Sequence, residues 1–331
     1  MKHHALCLMV PLILLNLCTM AQDQQYTFTA AWWNVENLFD SRDDPHTNDD
    51  EFTPQGELHW TQRKMWDKLH GIYKTLVQMD LPDVVGLAEV ENNYVLRSLC
   101  NGTPLRQSGY RYVHFDSPDR RGIDVALLYR SDRFIVDSSR RISLSDSATH
   151  FFTRDILLVE GHLPTGDSVV LLLNHWPSKR GGDEAEQHRM EAARKLRSLM
   201  VTSKEEHPTA AVIAMGDLNT TSDEAPLAEG MAFGTDSVNP DGIRLLTHRL
   251  PNDWGSHKYQ GEWRYIDQVM LLANEQWEVA KLKLIRSEHL LTEETARPGV
   301  RPKRTHQGPL YEGGLSDHLP MLLRLRHPLP D

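Results

Sequence analysis

The stretch "GGLSDHLPMLLRLR", residues 313–326, sets an acid and an imidazole, Asp317 and His318, directly before a proline and an apolar run with the look of a buried strand. A polar turn entering a strand explains such a pair. So does a catalytic pair held by a rigid element, because strand ends fix a side chain more tightly than loops do. The choice depends on how the other strands of the chain end.

Apolar, β-branched runs recur along the sequence and predict strands over 28–33, 83–88, 124–129, 152–161, 168–175, 210–216, 265–272 and 321–326. Several deliver polar groups at their C-terminal side. "FTAAWWNVEN" runs into Asn34, "DVVGLAEVEN" into Glu89, "VVLLLNHWPS" into Asn174 and His175, and "AAVIAMGDLNTT" into Asp217 and Asn219. A carboxylate beside a buried strand is costly unless partnered. Four such endings, with Asp267 and the Asp317–His318 pair, predict one shared polar cleft. Two segments carry helical stripes. Met65, Leu69, Ile72, Tyr73, Leu76 and Val77 mark 60–79, and Met190, Ala193, Leu196, Leu199 and Met200 mark 183–203. Strands interleaved with helices imply a layered α/β or α+β fold.

The inventory suits one chemistry. Asp, Glu and Asn oxygens bind hard divalent ions, and histidines supply acid–base groups near neutral pH. No HExxH pattern or cysteine cluster suggests zinc, and no GxSxG or glycine-rich phosphate cradle is present. Hydrolysis of a phosphodiester needs a cation to neutralise charge, a base for water and an acid for the leaving oxygen.

Taken together, "WNVEN", "GLAEVEN", "NHWPS", "GDLN", "YIDQVML" and "SDHLP" resemble, in that order, the endonuclease/exonuclease/phosphatase (DNase I-like) superfamily. The resemblance spans Phe28 to Arg326. It implies a four-layer sandwich of two packed mixed β-sheets flanked by helices, and phosphoester hydrolysis with Mg²⁺ or Mn²⁺. It implies Glu89 as principal metal ligand with Asn34 beside it and Asp317 as a further metal-side acid. His318 resembles the general base, Asp267 its carboxylate partner, and His175 the second histidine. Asp217 resembles the residue that orients water. Asn219 and Asn174 are expected to bind substrate, and Arg121 to hold a phosphate with Asp124 buttressing it or a histidine. Glu36 is a candidate for a water-mediated metal contact. Trp32 and Trp33 are expected in the core.

Other features bound the setting. Residues 1–21, with Lys2, an apolar stretch from Ala5 to Leu17 and the ending Thr19-Met20-Ala21, read as a secretory signal peptide. Bulky Leu17 argues against a lipid anchor at Cys18. Residues 22–331 then form a single domain, exported to the periplasm or beyond, and Cys100 is left with no disulfide partner. The formal charge of −10 excludes tight unspecific grip on nucleic acid but not an enzyme that meets phosphate through a cation. The acidic segment 40–52 reads as a solvated loop, with a structural Ca²⁺ site as its alternative. The basic segments 179–189 and 296–308 are candidates for a positive rim, and Arg301 and Arg304 for contacts to nucleic acid. The leading expectation is a monomeric nuclease acting on DNA or RNA. The alternatives are a phosphatase or phosphodiesterase on small or lipid phosphoesters, such as inositol phosphates or sphingomyelin, and a non-catalytic binding module. "NEQWEV" (274–279) is the one candidate for a membrane-facing aromatic hairpin.

Overall fold

A computed structural model describes residues 25–148, 150–295 and 297–328. The signal-peptide expectation for 1–21 lies outside them. Two six-stranded sheets pack face to face. The first contains β1 (Gln25–Leu38), β2 (Val84–Val90), β3 (Tyr110–His114), β4 (Asp124–Arg130), β13 (Glu278–Leu284) and β18 (Met321–Pro328), in the order β13-β18-β1-β2-β4-β3. The second contains β5 (Ile135–Ile142), β6 (Ile156–His162), β7 (Ser168–His175), β8 (Ala211–Asp217), β9 (Arg244–Leu245) and β12 (Asp267–Leu272), in the order β5-β6-β7-β8-β12-β9. Short ribbons decorate the edges: β10 (His257–Tyr259) with β11 (Glu262–Arg264), β14 (Leu291–Glu293) with β15 (Val300–Pro302), and β16 (His306–Gln307) with β17 (Leu310–Tyr311).

Both sheets follow one plan. Each has a single parallel pair, β1 with β2 and β7 with β8, among antiparallel neighbours. A parallel pair requires a crossover. Helix α1 (Gln62–Gln78) supplies the first, and α3 (Gly182–Glu206) the second; the short α2 (Asn93–Arg97) follows β2. In open α/β sheets the crevice beyond the carboxyl ends of such strands is where ligands bind. Asn34, Glu89, His175 and Asp217 sit at those four ends.

Alternation along β7 and β8 explains their continuous apolar sequence. Val169, Leu171, Leu173, Ile213 and Met215 face the other sheet, meeting Phe28, Trp32, Leu127 and Leu323. Val170, Leu172, Val212 and Ala214 face α3, whose Ala193, Leu196 and Met200 cover them. A strand buried on both faces has no polar face to show. On the far side, Met65, Leu69, Ile72 and Leu76 of α1 pack on Ala31, Trp33, Val85 and Leu322. Each such aliphatic side chain contributes roughly 1.5–3 kcal/mol on burial. The result is the four-layer sandwich that the motif order implied. Val77, placed on the α1 stripe by its spacing, faces outward and is exposed.

Helix α1 also fixes the loop that carries the opening motif. A Cβ on Gly71 would lie 2.2 Å from a Leu315 methyl, so a larger residue there would have to displace that side chain from its place beside Ser316. No helix among the described residues is long and apolar enough to cross a membrane. Trp277 of "NEQWEV" is buried between the sheets, its indole donating to the Thr209 carbonyl, so that segment presents no membrane-facing aromatic.

Candidate active site

The opening pair sits in a loop pinned on both sides. The His318 N–H donates to Ser316 Oγ (2.9 Å), and Ser316 Oγ donates to the Asn34 carbonyl (2.6 Å). The Trp33 indole donates to the His318 carbonyl (2.9 Å). The imidazole is thereby delivered to Asp267, at the first position of β12. Nδ1 of His318 lies 2.6 Å from Asp267 Oδ2, while Asp267 Oδ1 accepts from the Trp32 indole at 2.7 Å. A carboxylate on Nδ1 fixes the tautomer and leaves Nε2 to the cleft. That Nε2 lies 3.7 Å from Asp217 Oδ2 and 3.8 Å from Asp317 Oδ1.

Asp217 is the hub. It stands opposite Asp267 in the β8–β12 register. Its Oδ2 accepts from Asn34 Nδ2 (3.0 Å) and its Oδ1 from the Asn219 N–H (3.0 Å). His175 Nε2 lies 3.6 Å from the same Oδ2 and 4.0 Å from Glu89 Oε1. Glu89 Oε2 accepts from the Asn37 N–H (2.8 Å) and lies 4.0 Å from the Arg121 guanidinium, which also bonds Asn37 Oδ1. The sequence candidates His318, Asp267, Asp217, His175, Asn34, Glu89 and Arg121 therefore form one chain of short separations.

The local backbone is distorted to achieve this. Glu36, Asn37, Glu89 and Asn219 all adopt left-handed φ between 46° and 63°, and the β1–β2 and β2–β4 ladders shift register there. Left-handed non-glycine residues are costly and concentrate at functional sites. Here each bulge turns a strand end toward the cleft.

Electrostatics separates the two histidines. Burial, aided by the charges of Arg154, Arg121 and His318, holds the His175 imidazole well below its ordinary value. Burial opposes charge on His318 too, but Asp267, Asp217 and Asp317 outweigh it and hold that ring well above its ordinary value. Burial, together with the charge of Asp267, pushes Asp217 up to about 7.

Beneath the cleft lies a layer that the motifs did not disclose. Lys68 of α1, 2% exposed, donates to the Glu36 carbonyl and to Thr305 Oγ1 (2.6 Å for the latter). The Glu36 carboxylate accepts from the Thr305 N–H (2.7 Å) and from Arg304 Nε (3.3 Å), and Arg304 also grips Asp317. Behind His175, Arg154 joins Asp119 (3.0 Å) to the Trp176 carbonyl (2.7 Å). Trp32, Lys68, Arg154 and Ser316 gave no signal in the sequence beyond residue type.

Several expectations are corrected. Asn174 does not face the cleft: its Nδ2 donates to the Leu172 carbonyl and its Oδ1 accepts from the Trp176 indole, because successive strand residues alternate faces and His175 takes the cleft side. Asn34 presents its NH₂ group, not its oxygen, to Glu89 (3.5 Å) and Asp217, since Oδ1 is occupied by the Glu36 N–H. In this arrangement it positions the carboxylates of Glu89 and Asp217. The Glu36 carboxylate bonds Thr305 and Arg304, and Asp317 is held by Arg304 beside His318, where His257, Asp317 and His318 bring ligand atoms within 4.8 Å of one another. Asn219 Nδ2 is bonded to the Trp176 carbonyl (3.0 Å). Of the two partners expected for Asp124, the structure gives the histidine: it bonds His114 (3.2 Å) and not Arg121. In 40–52, the carboxylates of Asp40, Asp44 and Asp49 accept from backbone N–H groups of Arg42, His46 and Asp44. The basic segments are partly paired within the chain: Arg301 is bidentate to Glu312, and Lys179 pairs with Glu224.

The donor set around Glu89 still fits a hard divalent ion. It offers carboxylates from Glu89 and Asp217 with a neutral imidazole between them and no thiolate, the preference of Mg²⁺ or Mn²⁺. Among the described residues, Asp217, Asp267 and His318 also bring ligand atoms within 4.8 Å of one another.

Comparison with known proteins agrees with this geometry. Searched against curated proteins, the chain has no significant match. Among solved structures it is similar to a humanised D. rerio TDP2 (18% identity, TM-score 0.58, covering 90% of this chain and 98% of that one). It is similar to the human nocturnin catalytic domain (14%, 0.57, 91% and 96%) and to a Bacteroides thetaiotaomicron mannosyl-6-phosphatase (16%, 0.56, 90% and 99%). At these identities the likeness is one of fold. The profile of the Endonuclease/Exonuclease/phosphatase family matches residues 29–327, nearly every described residue, and the chain belongs to that family of phosphoester hydrolases.

Proposed function

We propose that this chain is a divalent-metal-dependent hydrolase of phosphoesters, using Mg²⁺ or Mn²⁺, and that it acts outside the cytoplasm on substrates with compact organic groups. One observation carries the reading: two imidazoles in opposite electrostatic surroundings converge on a single carboxylate oxygen, Asp217 Oδ2, beside Glu89. Glu89 and Asp217 would hold the cation, which supplies neutralisation of charge developing on the phosphoryl oxygens. His318, in the form with Nε2 unprotonated, takes a proton from the attacking water at that nitrogen, because Asp267 occupies Nδ1. Asp217 orients that water. His175, kept neutral, donates from Nε2 to a phosphoryl oxygen. Arg121, 48% exposed at the Glu89 end, meets an outer phosphate oxygen.

The preference for compact substrates rests on charge. Arg301, Arg304, Lys179 and Lys258 are all engaged by acids or carbonyls of the same chain, and the whole carries −10. A polymer backbone needs a track of free cations to displace its counterions. Cleavage of DNA or RNA stands second, supported by the exposed Arg121 guanidinium. The pattern at residues 1–21 supports export.

A substrate panel tests both readings. Mature protein with Mg²⁺ would be offered a sugar phosphate, inositol phosphates, an aryl phosphodiester, sphingomyelin, plasmid DNA and RNA. Turnover of the small esters above the polymers is expected. Faster cleavage of plasmid or RNA reverses the order, and no turnover of any ester overturns the hydrolase reading.

A further inference from the structure

The ribbon β10–β11 is anchored to the catalytic base by backbone. His257 pairs with His318 across an isolated antiparallel bridge. The two imidazole centroids lie 4.9 Å apart, and His257 Nε2 lies 3.7 Å from Asp317 Oδ2. The sequence motifs did not include His257, yet it borders the cleft as closely as the residues they did.

Strand geometry then dictates what else faces that way. Side chains two apart along a strand share a face. Tyr259 therefore stands on the His257 face, with Glu262 as its cross-strand partner. The opposite face of the ribbon is already used. Lys258 bonds the Val300 carbonyl (3.0 Å) and Glu294 (2.7 Å), and Trp263 packs on Trp254 with centroids 4.8 Å apart. Tyr259 is 64% exposed, among the most exposed large side chains of the chain. The ribbon, bridged at its base to the general base, thus holds one uncovered aromatic ring two residues, or roughly 7 Å along the strand, beyond His257.

We propose that the His257–Tyr259 face is the subsite for the organic group of the substrate, and that it selects a ring with a flat face, a sugar or a nucleoside. This rests on the hydrolase reading above. An aromatic side chain stacks on such a ring with little loss of its own freedom, and the stacking contributes enough per ring to be read in KM. The backbone bridge sets the register: it keeps Tyr259 at one distance from His318, so a phosphate in the cleft places its first ring against the phenol.

The test compares wild type, Tyr259→Ala and Tyr259→Phe on three esters with Mg²⁺: a hexose phosphate, a nucleoside monophosphate and acyclic glycerol phosphate. Tyr259→Ala is expected to raise KM for at least one ring ester about tenfold and to lower the ring-to-acyclic ratio of kcat/KM by a similar factor. Tyr259→Phe restores both, and the ester most affected identifies the ring. An unchanged ratio in Tyr259→Ala overturns the subsite. Calorimetry of the same ligands on His318→Ala, with and without Tyr259→Ala, reads binding apart from turnover. If wild type hydrolyses none of these esters, nor any of the panel above, but ring binding still weakens with Tyr259→Ala, the subsite stands and the hydrolase reading falls. Equal binding with and without Tyr259 removes the subsite whatever the turnover.

Discussion

Nε2 of His175 and Nε2 of His318 point at one atom, lying 3.6 and 3.7 Å from Asp217 Oδ2. They arrive there from the end of β7 and from the loop before β18, in different sheets. Their surroundings push them apart, His175 toward neutrality and His318 toward charge. The neighbouring acids favour a proton on His318, so it serves as base only in the form with Nε2 free, and its assignment rests on the Asp267 contact that leaves Nε2 facing the cleft. His318→Ala is expected to lower kcat at least ~10²-fold, as loss of a general base does. Steady-state kinetics with circular dichroism checks it; a folded variant within threefold of wild type contradicts the assignment.

Asp267→Asn probes a different link. Asparagine keeps the shape but can face His318 Nδ1 with an NH₂ group and strand the wrong tautomer. The Trp32 indole, which donates to Oδ1, favours an acceptor at that position. A kcat loss approaching that of His318→Ala is expected, with KM little changed. A wild-type rate would show that Asp267 is dispensable for orienting the ring.

Glu89→Gln tests the cation. The variant loses a negative charge but keeps an acceptor for the Asn37 N–H. It should need at least ~10-fold more Mg²⁺ or Mn²⁺ for half-maximal rate, a loss of about 1.4 kcal/mol of binding. Exhaustive chelation should abolish turnover by the wild type, and readdition should restore it.

The strands that the sequence disclosed and those it hid differ in position. Residues 168–175 and 210–216 read clearly because their strands are central and buried on both faces. In the two large sheets the strands missed, β3, β5, β9 and β13, are the edges, and the short ribbon strands were missed as well. In β5, "IVDSSRRI" keeps one face wet and carries charges, which protects an unpaired edge from aggregation but erases the apolar signal. The site divides similarly. Carboxylates and histidines at strand ends were legible because such residues seldom finish a buried strand. The indole that holds Asp267 was not, since Trp32 and Asp267 are separated by 235 positions and a tryptophan in an apolar run reads as core. Asn34 was legible as a site residue but not in its orientation, which the Glu36 N–H decides.

Lys68 should matter more for folding than its distance from the cleft suggests. Its ammonium is buried among Glu36, Glu89 and Asp317, and burial lowers its pKa to about 8 against their pull. Lys68→Met leaves Glu36 and Thr305 short of a donor and the carboxylates short of a cation. Removing one partner of a buried charged cluster costs about 3–5 kcal/mol. Urea denaturation should show a midpoint shift of that order, and a shift below about 1 kcal/mol would mean that Arg304 alone balances the acids.

Glu91 gives a pH dependence separate from the catalytic groups. Burial pushes its carboxyl up to about 8, with the charges of Asp40 and Asp49 adding to the rise against a hydrogen bond from the Asp40 N–H. An unfolded glutamate titrates near 4.3. The folded chain therefore binds the proton more tightly, and stability falls as pH rises between those two values. Below about pH 4.5 both states are protonated and Glu91 carries no penalty; above pH 8 the penalty is complete. Glu91→Gln stays neutral throughout and still accepts from the Asp40 N–H. Its advantage over wild type should be near zero at pH 4.5, grow steadily to pH 8 and then level off, reaching on the order of 5 kcal/mol. Thermal unfolding at five pH values checks it. A constant difference across the range would mean that Glu91 is already ionised in the fold at pH 5, with Asp40 and its neighbours solvated well enough to tolerate the charge.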